Sequence, residues 1–145
     1  MGLFDFLFTN EPSKERPKLI HSSLGELEYQ DEGWWDGKRE VDGQIIEYSV
    51  EGTETEVYED LAVHCNEILS NFSFYFDKSL KRIVSELSIT ETEARRRFSP
   101  DSLSGFWRRG DNTMFYFCFK DIENEYAIWR VQFDNGVPEY LGCDA

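Results

Sequence analysis

Strands, then helices, then strands again: the order of the periodic segments predicts an α+β domain, with two to three helices from the middle of the chain packed on one face of a mostly antiparallel sheet. Three observations carry this expectation. Asp42-Gly43 and Asn135-Gly136 sit between β-prone runs, the strongest short-range hairpin signal. Val57, Leu61, Cys65, Ile68, Leu69 and Phe72 recur at helical spacing. Residues 114–119, Met-Phe-Tyr-Phe-Cys-Phe, are apolar on both faces, as a central strand covered by helices would be.

The elements follow in order. Residues 24–29 alternate apolar and polar, Asp31-Glu32-Gly33 turns, and 34–41 returns; 44–50 follows the Asp42-Gly43 turn. Thr53 with Glu56 three residues on forms a capping box that opens the first helix. A break within 72–76 separates it from a second helix carrying Phe76, Leu80, Ile83, Val84 and Leu87. Thr90 and Glu93 cap a short third helix that runs through Arg97 and is ended by Pro100. Strands at 103–109 and 113–120 flank a turn at Gly110-Asp111-Asn112, and strands at 125–133 and 137–141 flank Asn135-Gly136.

At 145 residues the chain reads as one domain at 21–145, preceded at 1–20 by an apolar segment and a polar connector marked by Pro12 and Pro17. Residues 1–8 lack the basic start of a signal peptide, and Phe6 occupies the place where a myristoylation signal has Ser or Thr. They read as a piece packing on the domain or docking elsewhere. No apolar run approaches the 18 residues of a membrane span. Cys65, Cys118 and Cys143 are odd in number and contain no CxxC; they predict a reducing, cytoplasmic setting, with two thiols buried and one near the C-terminus.

Charge is distributed unevenly. The chain has 15 Lys+Arg against 29 Asp+Glu, a net of −14. Between Glu26 and Asp60 there are 13 acidic residues and only Lys38 and Arg39 as basic ones, interleaved with Tyr29, Trp34, Trp35, Tyr48 and Tyr58. Such a surface repels nucleic acid and anionic lipid and attracts a basic partner. Since successive strand side chains face opposite ways, one of Trp34 and Trp35 enters the core and the other points out.

Chemistry-bearing patterns are sparse. His64 lies at the edge of the first helix's apolar side and reads as a satisfied boundary histidine rather than a general base; His21, in the connector, reads as solvated. Neither HExxH nor His-x-His occurs, so no metal site is predicted, and no cofactor. Asp31, Asp36 and Asp42 do not match a calcium loop. Phosphate-binding glycine loops and the GxSxG elbow are also missing. Arg95, Arg96, Arg97, Arg108 and Arg109 form a basic counter-signal. They read first as partners of the protein's own acids, and second as a pocket for an anionic ligand.

The chain resembles a family of small bacterial proteins known only as a domain of unknown function. Three elements carry the resemblance: Leu24-Gly25-Glu26-Leu27; the Trp-bearing hairpin Trp34-Trp35-Asp36-Gly37; and the closing strands from Trp129 to Gly136 with Leu141-Gly142. It spans residues 22–143 and supplies no catalytic residues. Such proteins resemble immunity proteins encoded beside bacterial toxins, which implies neutralisation of a basic toxin domain by surface occlusion. The expected partner-binding residues are Asp31, Glu32, Trp34, Trp35 and Asp36 on the hairpin, with Glu56, Glu59 and Asp60 on the helix. A small-ligand protein or enzyme built around the arginines, and a structural subunit docking through residues 1–8, are the alternatives.

Overall fold

The computed structural model of the protein describes residues 15–144; the apolar segment 1–8 and most of the connector lie outside them. Eight strands form one sheet in chain order: β1 (Lys18–His21), β2 (Gly25–Asp31), β3 (Trp34–Val41), β4 (Gln44–Glu51), β5 (Phe98–Arg109), β6 (Asn112–Asp121), β7 (Asn124–Asp134) and β8 (Val137–Asp144). Three helices, α1 (Glu59–Ser70), α2 (Phe72–Leu87) and α3 (Glu91–Arg97), separate β4 from β5. The domain is α+β, but the sheet is mixed. Six neighbouring pairs are antiparallel, whereas β4 and β5 run parallel, matching Tyr48 to Leu103 and Val50 to Phe106. The expectation of a mostly antiparallel sheet did not include this parallel seam. The chain leaves β4 at Glu51, and the excursion through the helices returns it to the opposite end, where β4 began; that crossover gives a parallel neighbour.

Turn chemistry sets the registers. Glu32-Gly33, Asp42-Gly43 and Asn135-Gly136 each place both central residues at positive φ, the geometry whose twist suits a two-residue hairpin. At Gly33 an added Cβ would stand 2.7 Å from the Gly52 carbonyl oxygen, so the close approach of that strand end requires glycine.

The helices lie on one face and close the core there. Phe72 and Phe76 of α2 pack on Phe117, Phe76 reaches Phe119, and Tyr75 meets Phe133. His64 of α1 sits edge-on to both Phe106 and Phe115, which stack on each other. Its Nε2 is buried without a hydrogen-bond partner, so His64 is not the satisfied boundary residue expected; burial among aromatic rings pushes its pKa below the ordinary histidine value.

Four boundaries differ from expectation. α1 begins at Glu59, not beside Thr53. Thr53 Oγ1 does accept from the Glu56 N–H at 3.2 Å, but that bond closes a turn, after which Val57 bridges back to Gly52. Phe72 opens α2 rather than belonging to α1. Pro100 does not end α3; the chain passes directly into β5 at Phe98, and Pro100 sits beside a register shift in the strand. Finally, β1 takes up the end of the predicted connector. It buries most of the His21 side chain, whose Nε2 meets Glu59 Oε1 at 2.9 Å and whose Nδ1 accepts from the Ser23 and Leu24 N–H groups. His21 is therefore a tie between sheet and helix, not a solvated residue.

Candidate functional site

Alternation along the strands sends one set of side chains under the helices and the other onto the opposite, helix-free face. In β2, Leu27 is buried while Glu26, Glu28 and Gln30 point the other way; in β3, Trp35 is buried while Trp34, Asp36 and Lys38 do so. In β4, Ile46, Tyr48 and Val50 are core residues and Glu47 and Ser49 are not. β5 changes phase at Gly105, where φ is +65° and the register shifts, so that Ser102, Ser104 and Trp107 all share the helix-free face although Leu103 and Phe106 are buried.

This face holds a trough of about 700 Å³ crossing β2 to β5. Its walls carry Glu26, Glu28, Asp36 and Glu47, with Lys38 the one cation among its lining residues, and its floor is made of Ser49, Ser102 and Ser104. The registers place Glu28 opposite Asp36, Asp36 opposite Ser49, Lys38 opposite Glu47, and Glu47 opposite Ser102, so the acids cluster through strand pairing. Partial burial in the wall pushes the Asp36 carboxyl above the usual range; repulsion from Glu47 and Glu28 adds to this, and Arg16 opposes it. The site disfavours its own negative charge and would gain from a cation.

A second cavity of about 370 Å³ adjoins the trough, sharing Ser49 and Ser104 with it. Its remaining walls are Trp34, Gly105, Trp107 and Tyr116. The Trp107 and Tyr116 rings lie 5.2 Å apart between centroids. The Gly105 N–H donates to Ser49 Oγ at 2.8 Å, fixing the bulge over the floor. A methyl group at Gly105 would fall 3.6 Å from the Trp107 ring and 3.7 Å from that of Trp34, so the missing side chain leaves space bordered by both indoles.

The structure gathers only part of the expected hairpin-and-helix surface here. Asp36 and Trp34 line the cavities, and Asp31 and Glu32 are exposed in the turn next to Trp34. Trp35 is a core residue, 1% exposed, whose indole N–H donates to the Thr53 carbonyl at 2.8 Å; it has no surface to offer a partner. Glu56 is exposed in the turn before α1, away from the trough. Glu59 is engaged with His21, and Asp60 receives two bonds from Arg108, at 2.8 and 2.6 Å. The Arg108 guanidinium holds the Asp60 carboxyl below its usual range.

The five arginines are turned to the chain's own acids. Arg95 pairs with Asp77 and Glu91, Arg96 with Glu93 and Glu123, Arg97 with Asp121, Arg108 with Asp60, and Arg109 with Asp134. None lines either cavity. Sequence reasoning missed Glu26, Glu28, Glu47, Trp107 and Tyr116. For Glu26, Glu28, Glu47 and Tyr116 the available signal was phase, since along their strands they alternate with core positions; Trp107 lies beyond the phase change at Gly105, which alternation does not show.

Among the described residues no group of three or more His, Cys, Asp or Glu side chains is placed to hold a metal ion, and no helix is long and apolar enough to cross a membrane. Cys65 and Cys118 are buried free thiols, and Cys143 is exposed. In comparisons with known proteins, the chain matches no family model, no curated protein and no solved structure.

Proposed function

We propose that the protein is a binding protein, not an enzyme, and that it engages a basic partner protein through the helix-free face of its sheet. One observation carries this reading: Glu26, Glu28, Asp36 and Glu47 converge on an open trough where Lys18 and Arg16 reach only Glu26 and Glu28, while each of the five clustered arginines is neutralised elsewhere by the chain's own carboxylates. Asp36 and Glu47, which have no salt-bridge partner among the described residues, are thereby presented where a partner has access. Acids so placed steer association with a cationic surface, and adjacent aromatics slow dissociation. The resemblance to toxin-associated immunity proteins makes a basic toxin domain the natural partner: the acidic face would occlude a surface evolved to hold phosphates. A cytoplasmic setting fits three free thiols.

The test is capture from lysate of the source organism with tagged wild-type protein and with the combined variant Glu28→Gln, Asp36→Asn, Glu47→Gln. Bound proteins are identified by mass spectrometry after low-salt and high-salt washes. The expected result is one basic protein held by the wild type through high salt and lost by the variant. Equal capture by both, or recovery only of abundant basic proteins that salt removes, would overturn the proposal.

A further inference from the structure

The aromatic cavity beside the trough has a composition that the general acidity of the chain does not explain. Solubility or long-range steering requires carboxylates, not two tryptophans and a tyrosine converging on a glycine. Trp34 belongs to β3, Trp107 to β5 and Tyr116 to β6, so three strands supply one ring each to the same 370 Å³ space. The floor residues Ser49, Ser104 and Gly105 are small, which leaves the rings as walls.

Negative charge borders this space. Glu51 lies directly across from Trp34 in the β3–β4 register, and Asp36 is two residues along β3 on the same face. Flat π walls with carboxylates at the rim select a cation that is planar and weakly hydrated. A guanidinium meets that description; an ammonium, compact and strongly hydrated, does so less well. The chain itself supplies a small-scale instance at the far side of the cavity, where the Arg130 guanidinium lies 5.5 Å from the Tyr116 ring centroid and is ion-paired with Asp144. With that charge already met, the faces of Trp34 and Trp107 are left for an incoming group.

Resting on the acidic-face reading, we infer that the cavity lined by Trp34, Trp107 and Tyr116 is a socket for a single arginine side chain of the basic partner. Its guanidinium lies against the two indoles over Gly105, and its charge is met by Asp36 and Glu51. The trough then takes the flanking basic residues of the same segment, and the socket supplies the anchor that fixes its position. Buried arginines of this kind commonly dominate the energetics of an interface.

The experiment titrates the full-length protein with three capped tripeptides, Gly-Arg-Gly, Gly-Lys-Gly and Gly-citrulline-Gly, and follows the four tryptophan indole N–H resonances. The Trp35 and Trp129 indoles, tied to Thr53 and Asp121, serve as internal controls. The arginine peptide is expected to shift the Trp34 and Trp107 signals, to bind about tenfold more tightly than the lysine peptide, and to be displaced by salt only in part. Citrulline, the neutral isostere, should leave them unmoved. Trp34→Leu and Trp107→Leu should each abolish the response with an unchanged thermal melt; because they are tested separately, misfolding of one leaves the other informative. Equal binding of arginine and citrulline, equal binding of arginine and lysine, or no shift at Trp34 and Trp107 at millimolar peptide would each overturn the socket. If the socket fails while neutralising Glu28, Asp36 and Glu47 still releases a captured partner, the acidic-face reading survives without it.

Discussion

Asp121 is the buried charge on which the C-terminal strands close. It is 2% exposed, and its carboxylate accepts from Arg97 Nε and Nη2 at 2.9 Å each, from the Trp129 indole N–H at 3.1 Å and from the Glu123 backbone N–H at 2.9 Å. The Arg97 guanidinium is itself held over the Phe98 and Trp129 rings. Removing one partner of such a pair strands the other, so Asp121→Asn is expected to lower stability by about 3 kcal/mol in a urea melt. The Arg97 guanidinium first, with the backbone and indole donors, holds the Asp121 carboxyl below its ordinary value. Its contribution is therefore full above the unfolded carboxylate pKa of about 3.9 and is lost as pH falls through the lower folded value. His64 acts in a higher window. Burial lowers its pKa from 6.5, so its neutral form supports the fold fully above that value and stability declines as pH drops below it. His64→Phe, which keeps a ring against Phe106 and Phe115 and removes the unpartnered nitrogen, should flatten the stability profile between about pH 6.5 and pH 5 without a loss at pH 7. Thermal melts across pH for the two variants separate the two effects.

At the scale of elements, the same short pattern gave two outcomes. Thr90-x-x-Glu93 caps α3 as read, with Thr90 Oγ1 accepting from the Glu93 N–H at 3.0 Å. Thr53-x-x-Glu56 forms the equivalent bond but leads into a bridge with Gly52, and the helix starts later, at Glu59. The bond is local and so is legible; whether a helix follows depends on Val57 reaching back to β4, which a window of four residues does not contain. The glycine turns were legible for the same reason. β1 was not, because only four residues remain after Pro17, and the start of β5 was hidden behind Pro100. Glycine at position 37 has a packing role that the Trp-Trp-Asp-Gly motif did not disclose. An added Cβ would stand 2.6 Å from the Tyr48 hydroxyl and 2.7 Å from Leu27, where Tyr48 crosses to donate to the Leu24 carbonyl at 3.1 Å. Gly37→Ala should cost about 1–3 kcal/mol by overpacking, read as a lower denaturation midpoint. The outer edge of the sheet is also guarded: β8 carries Pro138 and a register shift, and Arg82 donates to the Glu139 carbonyl at 3.0 Å. These features discourage edge-to-edge pairing at β8.

For the whole molecule, the structure divides its acids into two populations. One is engaged, Glu59 with His21, Asp60 with Arg108, Glu26 with Lys18 and Glu28 with Arg16; the other, Asp36 and Glu47 on the helix-free face, has no salt-bridge partner among the described residues. The sequence showed the excess charge between residues 26 and 60 but not this division, because the registers of β2, β3 and β4 decide which acids converge. The division is testable in the isolated protein. Asp36→Asn relieves a carboxylate whose ionised form the fold disfavours, so the melting temperature at pH 7 should rise; Asp60→Asn breaks a bidentate pair, so it should fall. Differential scanning calorimetry of both variants reads the two signs directly.

The parallel seam between β4 and β5 bears on how the chain reaches this state. Every other strand pairs with its immediate successor across a tight turn, so two meanders, β1 to β4 and β5 to β8, can assemble from contacts close in sequence, on the microsecond scale of hairpin formation. Only the seam requires the entire helical segment to be looped out and closed, at an entropic cost that is incurred before Val50 and Phe106 come together. The topology thus predicts two locally folding halves with one late join. The tempo of its folding is expected to be set at that join, and the trough, which spans β2 to β5, is complete only when the join is made.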